Sequence, residues 1–342
     1  MVFWNNKLLI AVVVFIAIIL IAGGLIIGAF LGPQNQNKNS SNTVEIKITS
    51  GMGVKEIALE LYRQKAINSL ASFQIYSLFT GQARSFKPGI YEIAPNLSLK
   101  EITKILTQGP PEISIVIFPG MTLKEADNLL SSKKIISPYE LSEFKIDSIK
   151  NYYPFLSNAN SLEGFIYPDT YNFLAGTDIK KVAITLLDNF KEKINPYTEK
   201  LNQLSLQERM NKIILASILE KETTDQKDKE IIAGILEKRL KNSMPLQVDA
   251  TIIYAKCLGK FLSCPALSRS DFKNNSPFNT YLYKGLPPAP ISNPEISSIE
   301  AALNPVKTEY WYYLSDPITK KTFFSKTFEE QNIKRAKYLK LF

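Results

Sequence analysis

The chain has 342 residues, 45% of them hydrophobic and 11% aromatic, enough apolar material to bury cores in two or three domains and too much for an intrinsically disordered polymer. Its 41 Lys and Arg against 32 Asp and Glu leave a net charge of +9, which suits nucleic acid, anionic lipid headgroups or an anionic wall polymer; without arginine-rich blocks or an aromatic-basic ladder, nucleic acid is not expected. There is no histidine, so a Ser-His-Asp triad, His-ligated zinc and histidine acid–base catalysis are excluded.

Residues 1–7 form a short N-terminus, followed at 8–31 by "LLIAVVVFIAIILIAGGLIIGAFL". No charged side chain interrupts this run, and it exceeds the ~20 residues that cross a bilayer. A cleaved signal peptide has an apolar region of only about 7–15 residues, so the segment is expected to be a retained single-pass transmembrane helix. We take the N-terminus as cytoplasmic and the body as extracytoplasmic, in the plasma membrane. Residues 32–43, "GPQNQNKNSSNT", are polar and aperiodic and read as a linker.

The front half repeats itself. "SGMGVKEIALELYRQKAINSLASF" from Ser50 aligns with "PGMTLKEADNLLSSKKIISPYELSEF" from Pro119, and "NLSLKEITKILTQG" from Asn96 is a shorter echo. Each unit predicts a strand, a turn and a helix entered through a small polar residue. Strands are expected at 43–49, 89–94 and 112–118, from alternating polar and apolar residues. The module spans 44–110, and a second repeat-like segment, 111–160, joins it to the remainder, 161–342. Tyr76, Phe79 and Phe86 could stack on sugar rings, but at helical spacing they are expected in the core.

The back half predicts long helices joined by Pro- and Asn-rich loops, so the fold class is α+β. "DIKKVAITLLDNFKEKI" and "KDKEIIAGILEKRL" carry amphipathic spacing. Between them, "IILASILEKET" (213–223) gathers Ile214, Leu215, Ile218 and Leu219 into one stripe, with Glu222 on its middle and Glu220 roughly opposite, toward solvent. A carboxyl at the end of an apolar stripe loses hydration, its pKa rises, and it can donate a proton near neutrality. Alternatively the helix frays there, or Glu222 pairs with Arg239. Glu220, facing away, is expected to matter little: Glu220→Gln should change activity little.

Further stretches have the polar and aromatic inventory of a sugar-binding cleft: "EGFIYPDTYNF" with Glu163, Tyr167, Asp169 and Thr170; "LQVDATIIYA" with Gln247, Asp249 and Thr251; and "SPFNTYLYKGLPPAPISNP" with Asn279, Thr280 and Tyr281. Asn293-Pro294 reads as an N-cap followed by proline at the first helical position, with the helix stopping at Asn304-Pro305. "EYWYYLSDPITKKTFFS" predicts a closing hairpin, with Trp311 and Tyr313 in the core. Cys257 and Cys264 are too few for a sulfur-ligated zinc site and form either a small loop disulfide or two free thiols. An aspartic-type protease would need Asp169 and Asp249 to share a proton, and neither has the Asp-Thr/Ser-Gly setting.

"EGFIYPDTY", "ILASILEKET", "LQVDATIIY" and "NTYLYKGLPPAPISNP", in this order behind one N-terminal anchor, resemble the endolytic murein transglycosylase, or YceG-like, family. The resemblance covers the chain from about residue 43. It implies a small LysM-like module before a mainly helical catalytic domain on the wall side of the membrane. It also implies a lytic transglycosylase, a lyase cleaving the MurNAc-β-1,4-GlcNAc bond with formation of 1,6-anhydro ends, with Glu222 as the catalytic acid and base. Asp249, Thr251, Asn279, Thr280 and Tyr281 match family positions and are carried over as cleft residues. No metal and no cofactor are implied; the partners implied are peptidoglycan glycan strands, the plasma membrane, and peptidoglycan synthases or division proteins. The competing expectation is a non-catalytic peptidoglycan-binding or division scaffold.

Overall fold

The structure, a computed structural model, describes residues 10–18, 20, 43–94, 96–316, 319 and 321–338. Residues 10–18 and 20 are helical and exposed. The rest of the predicted span 8–31, the preceding residues 1–7 and the linker before Thr43 lie outside the described residues. Among the described residues no helix is long and apolar enough to cross a membrane. The chain forms two units, one of residues up to 113 with 174–176, the other of 114–173 and 177–342.

In the first unit, β1 (Val44–Ile48) leads into α1 (Val54–Arg63), α2 (Leu70–Phe79), β2 (Gly89–Ile93) and α3 (Leu99–Gln108). Alternation in VEIKI turns Ile46 and Ile48 inward, and β1 pairs antiparallel with β2, Ile46 opposite Tyr91. Small polar residues cap α2 and α3, through Ser69 and Ser98, whereas α1 starts at Gly53, which has no side chain to cap it. The Ser98 N–H donates to Glu101 Oε2 at 2.8 Å and the Glu101 N–H returns to Ser98 Oγ at 3.3 Å, two orphan donors satisfied at once. Ile57, Leu61, Phe73, Tyr91, Ile102 and Leu106 close the core. Phe86 stacks on Phe73 at 5.6 Å between centroids and Tyr76 packs partly buried. Phe79, expected in the core, is 91% exposed, because α2 buries only Phe73 and Ser77.

The second unit begins with β3 (Ile113–Val116), then α4 (Leu123–Ser132), entered through a Thr122–Glu125 capping box. Its counterpart in the repeat continues into a helix; here the chain breaks into short 3₁₀ turns over 146–156. The buried Asp127 carboxylate accepts the N–H groups of Tyr139, Leu141 and Ser142 at 2.8, 2.8 and 3.1 Å, and Tyr139 takes φ +71°, a conformation that stops a helix. β4 (Thr170–Phe173) pairs with β3. Then follow α5 (Ile179–Ile194), α6 (Thr198–Asn202), α7 (Leu206–Glu222), α8 (Gln226–Lys241), α9 (Asp249–Lys256), α10 (Ile296–Leu303), the antiparallel pair β5 (Tyr312–Ser315) and β6 (Thr322–Ser325), and α11 (Phe328–Tyr338). The unit is thus mainly helical with small antiparallel sheets, and the fold class is α+β.

α7 is the centre of this unit. Every residue from Ile213 to Leu219 is buried, and α8, α9 and α10 all pack on it. It is therefore not a one-sided amphipathic helix, and this overturns the expectation for Glu220. That side chain is 4% exposed and accepts from the Glu295 N–H at 3.0 Å and Ser298 Oγ at 2.6 Å. Lys229 of α8, wholly buried, lies 3.6 Å from it and donates to Glu295 Oε1 and Ser297 Oγ. The face opposite the apolar stripe thus meets a polar knot at the start of α10 rather than water. Gly234 lets α8 approach the chain beyond α10: a Cβ there would sit 1.9 Å from the Val306 carbonyl oxygen.

Asn293 is not the expected N-cap; Glu295 holds that position. The Asn293 amide is instead a cross-brace. Its oxygen accepts from the N–H groups of Gly164 and Ile166, and its Nδ2 donates to the Met121 carbonyl and to Glu163 Oε1. Gly164, at φ +90°, is pressed against Pro290 and has no room for a Cβ.

Candidate active site

α7 stops at Glu222 because Thr223 turns extended, at φ −158° and ψ 155°. The carboxyl is delivered to the floor of a cleft of about 760 Å³. One wall is made by Gln247, Asp249, Phe272 and Tyr281; the other by Tyr312, Tyr313, Leu314 and Ser315 of β5 with Phe328, Gln331 and Arg335 of α11; Lys221 and Arg239 complete the lining. Burial pushes the Glu222 carboxyl up to about 7, a hydrogen bond from Tyr313 opposes that rise, and the nearby Asp249 charge adds to it. Tyr313 is buried enough that its phenol ionises far above the usual tyrosine range, so it acts as a donor at any working pH.

Arg239 does not pair with Glu222. Its Nε donates to the Trp311 carbonyl at 2.9 Å and its Nη1 to the Leu246 carbonyl at 2.7 Å. The guanidinium lies 5.2 Å from the centroid of the Tyr312 ring. One buried cation therefore ties the backbone just before Tyr312 and the backbone just before Gln247, so both walls are referenced to α8. Gln331 adds a second tie, its Nε2 donating to the Tyr313 carbonyl at 2.8 Å.

The residues expected in the cleft divide in three. Gln247, Asp249 and Tyr281 line it with Glu222, and Tyr281 donates to Asp249 Oδ1 at 2.5 Å. Asp249 opens α9. Thr251, Asn279 and Thr280 are buried behind the cleft wall. Thr251 and Thr280 hydroxyls meet at 2.9 Å, Thr280 Oγ1 accepts from the Val248 N–H, and Asn279 Oδ1 accepts from the Tyr281 N–H. They aim Asp249 and Tyr281 and are not on the cleft surface.

Glu163, Tyr167, Asp169 and Thr170 do not line the cleft either. Glu163 is 4% exposed and accepts from the Leu123 N–H at 2.9 Å, Tyr254 OH at 3.1 Å and Asn293 Nδ2 at 3.2 Å, which makes it part of the cross-brace. Burial pushes its carboxyl up to about 8, against those donors. Asp169 is held by the Thr170 N–H, Asn189 and Lys193, which keep its carboxyl below the usual range; it shares no proton with Asp249. Tyr167 lies under the Lys193 ammonium at 5.4 Å, and Thr170 is exposed on β4.

Cys257 and Cys264 form a disulfide. The loop it closes is docked: Thr122 Oγ1 donates to the Gly259 carbonyl and the Leu262 N–H to Glu125 Oε1. Phe261 lies under the Lys221 ammonium at 3.8 Å, so the loop covers the residue next to Glu222. The contributions of Arg239, Phe272, Tyr312, Tyr313, Gln331 and Arg335 to the cleft were not read from the sequence. Only the alternation of the predicted hairpin carried a trace of them, by placing Tyr313 and Ser315 on one face.

Comparison with known proteins agrees with this architecture. Residues 46–337 match the YceG-like family. The chain belongs to that family. A YceG-like relative from Bacillus subtilis (strain 168), named endolytic murein transglycosylase, is 33% identical over 335 residues, covering 91% of this chain and 90% of that protein. A protein of the same name from Streptococcus pneumoniae serotype 2 (strain D39) is 25% identical, and the match covers 88% of this chain but only 59% of that protein. The crystal structure of a YceG-like protein from Listeria monocytogenes superimposes with a TM-score of 0.58 at 30% identity, covering 86% of this chain and 99% of that one.

Proposed function

We propose that this YceG-like chain is a lytic transglycosylase of peptidoglycan, with Glu222 as its acid and base. The observation that carries the reading is a carboxyl raised to about 7 in the lining of a cleft, together with a relative named for this activity that is matched across 90% of its own length. The protonated Glu222 donates to the glycosidic oxygen between MurNAc C1 and GlcNAc O4, and the C1–O bond breaks. The resulting carboxylate removes the proton from the muramyl C6 hydroxyl, O6 bonds to C1 as a 1,6-anhydro ring, and Glu222 is protonated again. No water is consumed. Two-carboxylate glycosidases need a second group to activate water or attack C1; here the attacking hydroxyl belongs to the substrate, and one carboxyl near neutrality serves both steps.

The finer reading is that residues 8–31 anchor the protein in the plasma membrane with the body on the wall side, where the enzyme cuts nascent strands endolytically near synthases or division proteins. The uninterrupted apolar run and the Cys257–Cys264 disulfide, which suits an oxidising compartment, support it. The β–α–α–β order of the first unit supports a LysM-like module.

The test is a digest of purified peptidoglycan by the full chain in detergent, analysed by mass spectrometry beside Glu222→Gln. Anhydro-muramyl ends are expected from the wild type and at least about a hundredfold fewer from the variant. Reducing ends would overturn the lyase assignment, and wild-type cleavage by Glu222→Gln would overturn the role of Glu222.

A further inference from the structure

Tyr313 belongs to no motif of the predicted cleft, yet it lines the same cleft as Glu222, and its phenol is the hydrogen-bonding group that holds the Glu222 carboxyl down against burial. Its strand is held at two points, by Arg239 on the Trp311 carbonyl two residues before it and by Gln331 on its own carbonyl. The strand is thus pinned next to the phenol, and a pinned donor fixes an acceptor more firmly than a free one.

We infer that Tyr313 is a positioning residue for the transglycosylase reaction, its hydroxyl occupying one oxygen of Glu222 so that the catalytic proton resides on the other, toward the cleft. This rests on the reading of Glu222 as acid and base. The phenol is a donor in both halves of the cycle. While Glu222 is protonated, the Tyr313 hydroxyl fills the carbonyl-type oxygen, leaving the acidic O–H directed at the glycosidic oxygen. After proton transfer the same bond, now to a carboxylate, strengthens, and the free oxygen is left facing the C6 hydroxyl whose proton it must take. Nothing has to reorient between the two steps, which is the condition for a single carboxyl to serve in both. The bond favours the charged form, so it also limits how far burial raises the carboxyl.

The test is Tyr313→Phe in the full chain, which removes one oxygen and keeps the ring. The variant is expected to melt as the wild type does and to lose about tenfold or more in kcat with KM little changed. The alkaline limb of its pH profile, where Glu222 loses its proton, should move to higher pH, because the donor that favoured the carboxylate is gone. A hydroxyl with a merely structural part would lower the melting temperature and leave the limb in place. Wild-type kcat and an unmoved limb in a folded variant overturn the proposal. Glu222→Gln run alongside separates the two failures: if it still cleaves, the reading of Glu222 falls and the proposal with it; if it is dead while Tyr313→Phe is fully active, the proposal alone falls. Should Tyr313→Phe not fold, Gln331→Ala decides, since it keeps the phenol but frees the Tyr313 carbonyl: reduced kcat with a displaced limb supports positioning, and an unchanged profile overturns it.

Discussion

Replacing Glu163 by Gln isolates a pH-dependent term in the stability of the second unit. Burial raises the Glu163 carboxyl from an ordinary 4.5 to about 8 in the folded chain. The folded state therefore binds a proton that the unfolded state has released throughout the window from 4.5 to 8. Stability from this group is fully present below 4.5 and is lost as pH rises through that window, with a slope of about 1.4 kcal/mol per pH unit. Between pH 5.5 and 7.5 that is roughly 2–3 kcal/mol, a large part of the margin of a typical domain. Glu163→Gln keeps an oxygen for the Leu123 N–H and Asn293 amide but does not titrate. Its stability relative to the wild type should thus rise by roughly 2–3 kcal/mol over the same two units, whatever constant offset the altered bond to Tyr254 introduces. Urea unfolding of both proteins at pH 5.5, 6.5 and 7.5 measures the difference, and Glu222, present in both, cancels. Parallel stability curves would show that the three donors around Glu163 keep it ionised, and would refute the reasoning.

Two other perturbations address the frame around α7. Lys229→Ala leaves Glu220, at 4% exposure, as an uncompensated buried charge, and should cost about 3–5 kcal/mol in chemical unfolding; a loss below about 1 kcal/mol would show that the knot at the start of α10 is not an ionic one. Gly234→Ala puts a methyl 1.9 Å from the Val306 carbonyl oxygen. The clash should outweigh the helix propensity gained by alanine and lower stability by about 2 kcal/mol, whereas a stabilised variant would mean that the 305–308 segment yields freely.

The sequence reading located Glu222 because a helical wheel needs only local spacing, and a glutamate on the greasy side of "ILASILEKET" is visible without any partner. The same wheel failed for Glu220. It reports direction around one helix but not what packs there, and the buried Lys229 and the Glu295 N–H come from residues 9 and 75 positions away. The strands and the capped helices of the repeat were legible for the same local reason. The second repeat departed from its pattern where the Asp127 carboxylate captured three backbone N–H groups a dozen or more residues on. Asn293-Pro294 has the form of a cap, yet its amide serves Gly164 and Glu163, about 130 residues earlier. Tyr313 was the hardest to read: the hairpin pattern sends it to the core with Trp311, and alternation alone cannot say that the inner face of β5 is a cleft wall.

The wall that carries Tyr313 has a temporal consequence. Glu222 is synthesised some ninety residues before β5, and until residues 312–335 have emerged and folded there is a carboxyl but no cleft to hold a polymer against it. Chains released early, or clipped ahead of the hairpin, therefore carry the Glu222 carboxyl without the wall that faces it. On the proposed role of Glu222, completion of the chain is the step that arms the enzyme.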